Sequence, residues 1–374
     1  MIFAVVGTRP EVVKMAPVVS ALRKRGIPTR LVVTGQHHTW AMMGAFLESF
    51  RLEVDFQLAL DKRDLLGSLV EILGGLGALF AAHRPSLVLA VGDTTTVLAA
   101  ALAARKSGVG FGHIEAGLRA FSRELPEEDH RICADAIADL LFAPTRIAVD
   151  NLARERVNGT VLLTGNPVLD ALRLHAPVTP PDSAREGILV TVHRQETVDD
   201  PDKLAQVVGA LDRLGRTHTV TWPMHPRTVA KAAAAGRTFP SSIRVVEPVG
   251  HVEFLAQLAR SRLVVTDSGG VQEEAAIVGT PCVVIRNVTE RPETIAEGIG
   301  LLASIETGAI LGAVDRVLGD WKQFARAIPS LYGDGRAGER IADACSAWLA
   351  MREAGRCGVT RTPELMHPRP PESP

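Results

Sequence analysis

A chain of 374 residues, 46% of them hydrophobic, is long enough to build two ordinary hydrophobic cores. Its 41 basic and 42 acidic residues give a formal net charge of -1, which excludes a global field that would recruit nucleic acid or an anionic membrane. The four cysteines lie far apart without a C-x-x-C pair, so neither a zinc knuckle nor a disulfide framework is expected and a reducing cytoplasm fits best. No uninterrupted run of about 18 to 20 apolar residues occurs, which predicts a soluble protein.

Short apolar runs alternate with longer amphipathic segments in the first half of the chain. After the first run, residues 11–25 carry apolar side chains along one helical face and stop at Gly26, a residue typical of helix C-terminal caps. The short runs are apolar throughout, which is typical of parallel strands that are buried on both faces. This rhythm predicts an α/β fold with a parallel sheet, whose strands we expect at residues 2–6, 30–34, 87–91, 109–114, 140–143 and 161–164.

A polar, proline-rich stretch at residues 176–186 has no apolar period, as is typical of a linker between domains. We therefore predict two Rossmann-like domains, at residues 1–175 and 187–355, that face each other across a cleft. The last residues, 356–374, have too little apolar surface to pack and are expected to be disordered. In the second domain we expect a closing helix near residues 341–351 and strands at residues 188–192, 219–222, 243–246, 263–266 and 281–285.

The most informative polar cluster follows the predicted strand at residues 263–266. Ser268, Gly269 and Gly270 open a helix there, so that backbone N–H groups, a hydroxyl and the helix dipole converge on one point. This arrangement suits phosphate oxygens, although an ordinary strand-to-helix turn with capping residues has the same pattern. Glu274, one helical turn later, is a candidate acceptor for ribose hydroxyls. The first strand–helix turn lacks G-x-G-x-x-G, so NAD is not expected.

Charged residues that follow the strands of the first domain form a second cluster, because ligands of open parallel sheets bind beyond the carboxyl ends of the strands. Arg9 and Lys14 stand at a helix start, where cations oppose the helix dipole, and are candidates for neutralising a diphosphate. Asp93 and Glu127 are candidate acids or bases, and each is also a plausible helix cap or dipole partner. Glu115 lies in an apolar, glycine-rich run, where an unpaired carboxylate would cost folding free energy and is therefore expected only if it has a functional role or a partner.

Histidines supply the remaining candidates. His193 and His225 each end a predicted strand of the second domain and can meet phosphate or sugar, although a lone histidine is more often structural. The neighbouring pair His37 and His38 lacks metal-ligand spacing, and no H-E-x-x-H motif occurs. We therefore expect neither a metal nor a cofactor.

Jointly and in this order, these clusters resemble the non-hydrolysing UDP-N-acetylglucosamine 2-epimerase family. The likeness extends from residue 2 to about residue 298. It is carried by G-T-R-P-E at 7–11, K-M-A-P at 14–17, T-G-Q-H at 34–37, G-D-T at 92–94, H-I-E-A-G-L-R at 113–119, P-E-E at 126–128, T-V-H-R at 191–194, T-D-S-G-G-V-Q-E-E-A at 266–275 and T-E-R-P-E at 289–293.

The resemblance implies a glycosyltransferase-B type architecture and reversible epimerisation at C2 of UDP-N-acetylglucosamine, giving UDP-N-acetylmannosamine, or of a closely related UDP-acetamido sugar. It further implies anti elimination of UDP, re-addition through a 2-acetamidoglucal, and a cytoplasmic homodimer without nucleic-acid or membrane partners. By this resemblance the acid–base residues are Asp93, Glu115, Glu127 and His225. The UDP-sugar would be held by Arg9, Lys14, Arg131, His193, Ser268, Gly269, Gly270, Glu274 and Arg291.

The sequence also departs from the family motifs. Three motif asparagines are replaced, by His130, Thr197 and Arg227. Where a second UDP-N-acetylglucosamine molecule regulates family members, T-G-Q-H and an R-Q pair contribute to its site; here Asp64 stands in place of the glutamine. The candidate residues for such a site in this chain are Gln36, His37, Arg63 and Arg194.

These departures leave several alternatives open. The sugar can be a different one, such as a diacetamido uronic acid. A hydrolysing epimerase would release free N-acetylmannosamine. A glycosyltransferase of the same fold, or a UDP-sugar-binding protein without catalysis, would use the same nucleotide site.

Overall fold

The structure is a computed structural model that describes residues 1–35, 44, 47–61, 64–123, 125–174, 177, 179–224, 228–230, 232 and 238–355. The first half of the chain forms a seven-stranded sheet in the order β3-β2-β1-β4-β5-β6-β7, with every neighbouring pair parallel. Its strands are β1 (Ile2–Val6), β2 (Thr29–Val33), β3 (Phe56–Gln57), β4 (Leu87–Val91), β5 (Gly110–Ile114), β6 (Leu140–Ala143) and β7 (Thr160–Leu163). The described helices between them are α1 (Arg9–Lys24), α2 (Leu65–His83), α3 (Thr95–Lys106), α4 (Pro126–Ile137), α5 (Arg146–Glu155) and α6 (Pro167–Leu174).

The second half forms a six-stranded sheet in the order β10-β9-β8-β11-β12-β13, again with parallel neighbours. Its strands are β8 (Glu186–Thr191), β9 (Val220–Pro223), β10 (Ile243–Val246), β11 (Ser261–Thr266), β12 (Cys282–Ile285) and β13 (Gly300–Ala303). The described helices are α7 (Gln195–Val198), α8 (Pro201–Gly215), α9 (His251–Arg260), α10 (Gly269–Val278), α11 (Pro292–Ala296), α12 (Thr307–Gly319), α13 (Trp321–Phe324) and α14 (Ala337–Glu353). The predicted α/β class is confirmed.

Apolar layers cover both faces of each sheet, as continuous apolar strands require. In β1, Ile2, Ala4 and Val6 pack into one layer, while Phe3 and Val5 pack into the layer on the opposite face. The strands of the second sheet divide their side chains between two layers in the same way. With both faces occupied, each sheet leaves the carboxyl ends of its strands as the place for polar chemistry.

The last helix, α14, returns to the first sheet, although the sequence places it in the second domain. Ile341, Cys345 and Trp348 are buried in the same apolar layer as β1 and α1. Gly110 in β5 lies under the Trp348 ring, since a Cβ built on this glycine would stand 2.2 Å from the ring. The chain therefore crosses between the two sheets a second time before α14, and the domain bounds that we predicted remain a prediction.

Among the described residues, one helix, α2, is long and apolar enough by composition to cross a membrane, with a mean hydropathy of 1.9. Core helices of soluble proteins can have the same length and hydropathy, so these two properties are weak evidence that α2 crosses a membrane. Ile72, Leu76 and Phe80 of α2 pack into an apolar layer of the first sheet. Leu65, Leu66 and Val70 are at least 60% exposed, which leaves an apolar strip on the surface of this helix.

Candidate functional site

A cavity lies between the two halves of the chain, at the carboxyl ends of both sheets. The first half contributes Arg9 and Lys14 from α1, and the second half contributes His193, Ser268 and Glu274. The candidate residues predicted from the sequence did not include the apolar part of its wall, which is formed by Pro223 at the end of β9, by the loop residues Pro248 and Val249, and by Phe254 of α9. One cavity thus offers a polar region and an apolar region side by side.

The turn between β11 and α10, where the sequence predicts a phosphate site, forms the polar region. Ser268 is the N-cap residue of α10, yet its side chain makes no capping hydrogen bond. Gly270 lines the cavity, and a Cβ built on it would meet nothing within 4 Å. Gly269 has a different reason to be glycine, since a Cβ there would stand 2.4 Å from the Glu290 carboxylate. The start of α10 therefore presents its N-terminal dipole and a hydroxyl to open space, as an anion site requires.

Glu274 lies one turn into α10 and lines the same cavity. Its Oε1 lies 2.7 Å from Nε2 of His251, and the two side chains are 11% and 10% exposed. His251 was not predicted, because it opens a helix in a stretch without a recognisable motif. Through this contact, Glu274 is held in one orientation at the wall of the cavity.

A second, buried cluster of charges links the two halves beside the cavity. Nζ of Lys14 lies 2.6 Å from Oε1 of Glu115 and 3.2 Å from Oε2 of Glu273. Arg291 lies 2.5 Å from Glu273 and 3.7 Å from Glu115, and the Asn166 amide donates to both carboxylates at 2.9 Å. Glu115 and Glu273 thus share three donors, and Glu273 was not among the predicted residues.

The surroundings of Glu115 and Glu273 shift the pKa values of these two carboxylates in opposite directions. Burial disfavours ionisation of Glu115, but Lys14 and Arg291 outweigh it and hold the pKa of Glu115 below its ordinary value. Burial dominates at Glu273 and raises its pKa. Glu115 is therefore the ionised partner, a state suited to a base, and Glu273 is the partner that more readily holds a proton.

Asp93 follows β4 and faces Arg131, one of the predicted binding residues. Nη1 of Arg131 lies 2.5 Å from Oδ2 of Asp93, while its Nη2 donates to Glu128 at 2.7 Å. Arg131 is only 1% exposed, so it does not line the cavity and instead orients Asp93 from the protein interior. Gly92, the residue before Asp93, lies close to Glu115, because a Cβ built on this glycine would stand 3.7 Å from Oε2 of Glu115.

Glu127, at the start of α4, meets a cation from the second half of the chain. Nη1 of Arg194 lies 3.5 Å from Oε1 of Glu127, and Nη2 lies 3.4 Å from Oε1 of Glu290. Burial opposes the charge of Arg194, but Glu290 and Glu127 raise its pKa above the ordinary value. Arg194, a candidate for a regulatory site, is thus in contact with a candidate catalytic residue.

The structure accounts for one of the replaced asparagines. His130 donates from Nδ1 to the backbone carbonyl of Asp93 at 2.9 Å, a contact that an asparagine amide can also make. Nothing in the structure explains Thr197, which is buried in the short helix α7 and whose hydroxyl makes no hydrogen bond to a described residue. Arg227 lies outside the described residues, as do the catalytic candidate His225 and the regulatory candidates Gln36, His37 and Arg63.

Two further predicted residues, His193 and Arg9, line the cavity. His193 follows β8, its backbone N–H donates to Asp267 at 3.0 Å, and its side chain is 49% exposed at the cavity. Arg9 is the first residue of α1 and lines the cavity, and burial lowers the pKa of its guanidinium. The fold thus brings the predicted phosphate turn, Arg9 and His193 to one cavity, with the carboxylates Asp93, Glu115 and Glu127 in the neighbouring charge clusters.

Comparison with known proteins gives one consistent result. The family model described as UDP-N-acetylglucosamine 2-epimerase matches residues 20–346. The chain is 37% identical over 364 residues to the UDP-N-acetylglucosamine 2-epimerase of Bacillus subtilis, which covers 91% of this chain and 94% of the relative. It is 36% identical over 352 residues to the UDP-2,3-diacetamido-2,3-dideoxy-D-glucuronate 2-epimerase of Pseudomonas aeruginosa, which covers 91% of this chain and 98% of the relative.

A solved structure of an epimerase is also similar to this chain. The crystal structure of Methanocaldococcus jannaschii UDP-GlcNAc 2-epimerase in complex with UDP-GlcNAc and UDP matches this fold with a TM-score of 0.85 and 32% sequence identity. The match covers 92% of this chain and 99% of that one.

Proposed function

The chain belongs to the UDP-N-acetylglucosamine 2-epimerase family, and we propose that it catalyses the reversible C2 epimerisation of UDP-N-acetylglucosamine or a closely related UDP-acetamido sugar. The two facing parallel sheets have the predicted glycosyltransferase-B type architecture. The observation that carries the proposal is a helix N-terminus that suits a diphosphate, at one cavity with cations and beside three carboxylates from the opposite half of the chain.

The chemistry explains why one site needs both an anion cradle and several acids. The C2 proton of an acetamido sugar is not adjacent to a carbonyl, so a carboxylate cannot simply remove it. Breaking the C1–O bond to UDP while C2 loses its proton gives a glycal, and re-addition of UDP with protonation of C2 on the opposite face gives the epimer. Donors at the diphosphate stabilise the leaving group, and positioned carboxylates move the proton. A closed cleft keeps water away from the glycal.

For UDP, we assign the diphosphate to the turn at Ser268, Gly269 and Gly270, with Arg9 opposite. Glu274, oriented by His251, is suited to accept hydrogen bonds from ribose hydroxyls. The apolar wall of the cavity is suited to the flat uracil ring. These assignments follow from the layout of the cavity, whose polar and apolar regions match the two ends of a nucleoside diphosphate.

For proton transfer, we assign the base to the ionised Glu115 and further acid–base roles to Asp93 and Glu127. Each of these carboxylates has a cationic neighbour, namely Lys14, Arg131 and Arg194 respectively. Lys14 therefore pairs with the buried carboxylates and also lines the cavity. His225 completes the proposal by resemblance.

Proton NMR of the purified protein with UDP-N-acetylglucosamine in D2O tests the proposal. We expect deuterium exchange at C2 together with growth of UDP-N-acetylmannosamine. Free N-acetylmannosamine would identify a hydrolysing epimerase, and release of UDP only when an acceptor is present would identify a glycosyltransferase. Binding without exchange or conversion would refute the substrate, and the same experiment with the UDP-2,3-diacetamido-2,3-dideoxy-D-glucuronate of the Pseudomonas relative then distinguishes another sugar from a protein without catalysis.

We also propose that the protein is a soluble, cytoplasmic homodimer that pairs through the apolar strip of α2. Leu65, Leu66 and Val70 are 60%, 70% and 60% exposed, and apolar residues that adjoin on a surface mark contact sites. Sedimentation equilibrium should show a dimer that Leu66→Glu dissociates. Leu174→Glu, at a leucine that is 65% exposed on α6, serves as the control. A wild-type monomer, or equal dissociation by both variants, would refute this interface.

Regulation by a second UDP-N-acetylglucosamine molecule is proposed for Gln36, His37, Arg63 and Arg194. The support is the contact of Arg194 with Glu127, since a ligand that engages this arginine changes the surroundings of a candidate catalytic carboxylate. The reverse reaction, started from UDP-N-acetylmannosamine, should then accelerate when a trace of UDP-N-acetylglucosamine is added. Constant velocity with and without the trace would refute a regulatory site.

A further inference from the structure

A buried histidine lies beneath the candidate carboxylates without touching them. His113, in β5, is 0% exposed; its Nε2 lies 2.8 Å from the carbonyl oxygen of Gly92 and its Nδ1 lies 2.6 Å from Oδ1 of Asp135. A carbonyl oxygen only accepts, so Nε2 carries a hydrogen. Asp135 accepts from the backbone N–H of Gly117 and from Arg119 through its other oxygen, as an ionised carboxylate does.

Both ring nitrogens of His113 therefore donate, and the ring is an imidazolium. Burial opposes this charge, but the Asp135 carboxylate and the Gly92 carbonyl outweigh it and raise the pKa of His113 above its ordinary value. The same ion pair, assisted by Arg119, lowers the pKa of Asp135. His113 of β5 and Asp135 of α4 thus form one fixed unit between the first sheet and this helix.

This unit reaches the two turns that carry Asp93 and Glu115. The Gly92 carbonyl belongs to the peptide bond that leads into Asp93, and Gly92 itself has a φ of +88°. Glu115 has a φ of +70°, a conformation that residues other than glycine rarely adopt. The far end of the same turn is held where the Gly117 N–H donates to Asp135 at 3.0 Å.

We propose that His113, held by Asp135, is a positioning residue that fixes the turns of Asp93 and Glu115 relative to each other. It acts through the backbone and touches neither carboxylate, so it is not itself a catalytic residue. The inference rests on the proposed function, because these two carboxylates matter jointly only if both serve the transfer of the C2 proton. A misplacement of about 1 Å at such groups lowers a rate by about 100-fold.

Two amide variants separate positioning from mere core filling. The amide nitrogen of Gln reaches the place of Nε2, so His113→Gln keeps the donor to Gly92, whereas the shorter His113→Asn keeps only the donor to Asp135. We expect His113→Asn to lower kcat by about 100-fold and His113→Gln by less than about tenfold, with the Kd for UDP unchanged in both. A residue that only fills the core would give losses that follow thermal stability and ignore which donor is kept.

Hydrogen exchange gives a readout that does not depend on turnover. His113→Asn, which loses the donor to Gly92, should raise amide exchange in the peptide that contains Asp93, while His113→Gln, which loses the donor to Asp135, should raise it only in the peptide that contains Glu115. Arg185→Met is the matched control, because this buried cation also donates to backbone carbonyls, those of Gly279 and Val278, but on the second sheet's side. It should change stability and leave both peptides and kcat unchanged.

The outcomes separate this inference from the proposed function. Absence of wild-type turnover refutes the function, and the exchange pattern alone then decides whether one unit holds both turns. Equal kcat for the two amide variants, or loss of protection around Glu115 alone in His113→Asn, would overturn the inference. If His113→Asn does not fold, Asp135→Asn replaces it and should raise amide exchange in both peptides, because Asp135 holds both His113 and the Gly117 N–H.

Discussion

Glu11 should destabilise the folded protein at neutral and alkaline pH. Its carboxylate is buried in the first turn of α1, where it accepts from the N–H groups of Gly7 and Thr8 and from the hydroxyl of Thr94 at 2.5, 3.1 and 2.6 Å. Burial nevertheless dominates and raises its pKa from 4.5 to about 7. The folded state therefore favours the protonated carboxyl, and that stabilisation, fully present below pH 4.5, is lost as the pH rises through about 7.

The magnitude follows from the difference between these two pKa values. At about 1.4 kcal/mol for each pH unit, the folded state loses about 3 kcal/mol relative to a permanently neutral side chain. Glu11→Gln supplies such a side chain, since its amide oxygen can accept from Gly7 and Thr8 while its NH2 donates to Thr94. We expect this variant to match the wild type within about 1 kcal/mol at pH 5 and to be about 3 kcal/mol more stable at pH 8.5.

Urea unfolding at both pH values measures this difference directly, and thermal unfolding should show a gain of roughly 4 to 8 °C at pH 8.5. Glu253→Gln makes the same chemical change at an exposed position of α9 and should show no pH-dependent gain. If Glu11→Gln is less stable than the wild type at both pH values, the carboxylate is ionised in the fold and its three donors outweigh its burial, which refutes the reasoning.

Three further substitutions test other parts of the structure. Arg131→Met removes the cation between Asp93 and Glu128 and should lower the free energy of unfolding by about 3–5 kcal/mol in urea titrations, with an unchanged value counting against a buried pair. Glu274→Gln should weaken UDP binding by roughly tenfold in calorimetry, because a neutral amide accepts more weakly than a carboxylate; equal affinity would remove Glu274 from the nucleotide site. Trp348→Ala empties the space above the first sheet and should cost about 3–5 kcal/mol, and unchanged stability would contradict the packing of α14 there.

The sequence predicted strands best where burial on both faces leaves no ambiguity. The bounds of β1, β4 and β6 agree residue for residue, because Gly, Pro or Asp borders an uninterrupted apolar run. The start of α1 was placed two residues late, since Pro10 and the capping box of Thr8 and Glu11 set the helix start ahead of the apolar period. β3 has two residues, too few for a recognisable pattern, and β13 begins with a glycine and is only partly buried at the edge of its sheet.

The site was predictable as far as it follows single strands. Asp93, Glu115 and Ser268 stand directly after strands, and topology alone brings such positions to one edge of a sheet. Glu273 escaped prediction because its partner Lys14 lies far away in the sequence. Glu290 pairs with Arg286, four residues before it, and its contact with the distant Arg194 could not be predicted from the sequence. One signal was available for Glu273, namely an acidic residue among the small and apolar residues of α10, where burial without a partner would be costly.

The charges at the junction explain how a site so rich in carboxylates can also receive a diphosphate. Lys14 and Arg291 face both Glu115 and Glu273, and two ionised carboxylates would cancel both cations. Burial raises the pKa of Glu273, so this carboxylate gives up its charge more readily than Glu115, whose pKa is lowered. The cluster lies beside the cavity where the α10 N-terminus already favours anions. Glu273 thus orients both cations, while its raised pKa weakens its claim on the positive charge that a departing UDP requires.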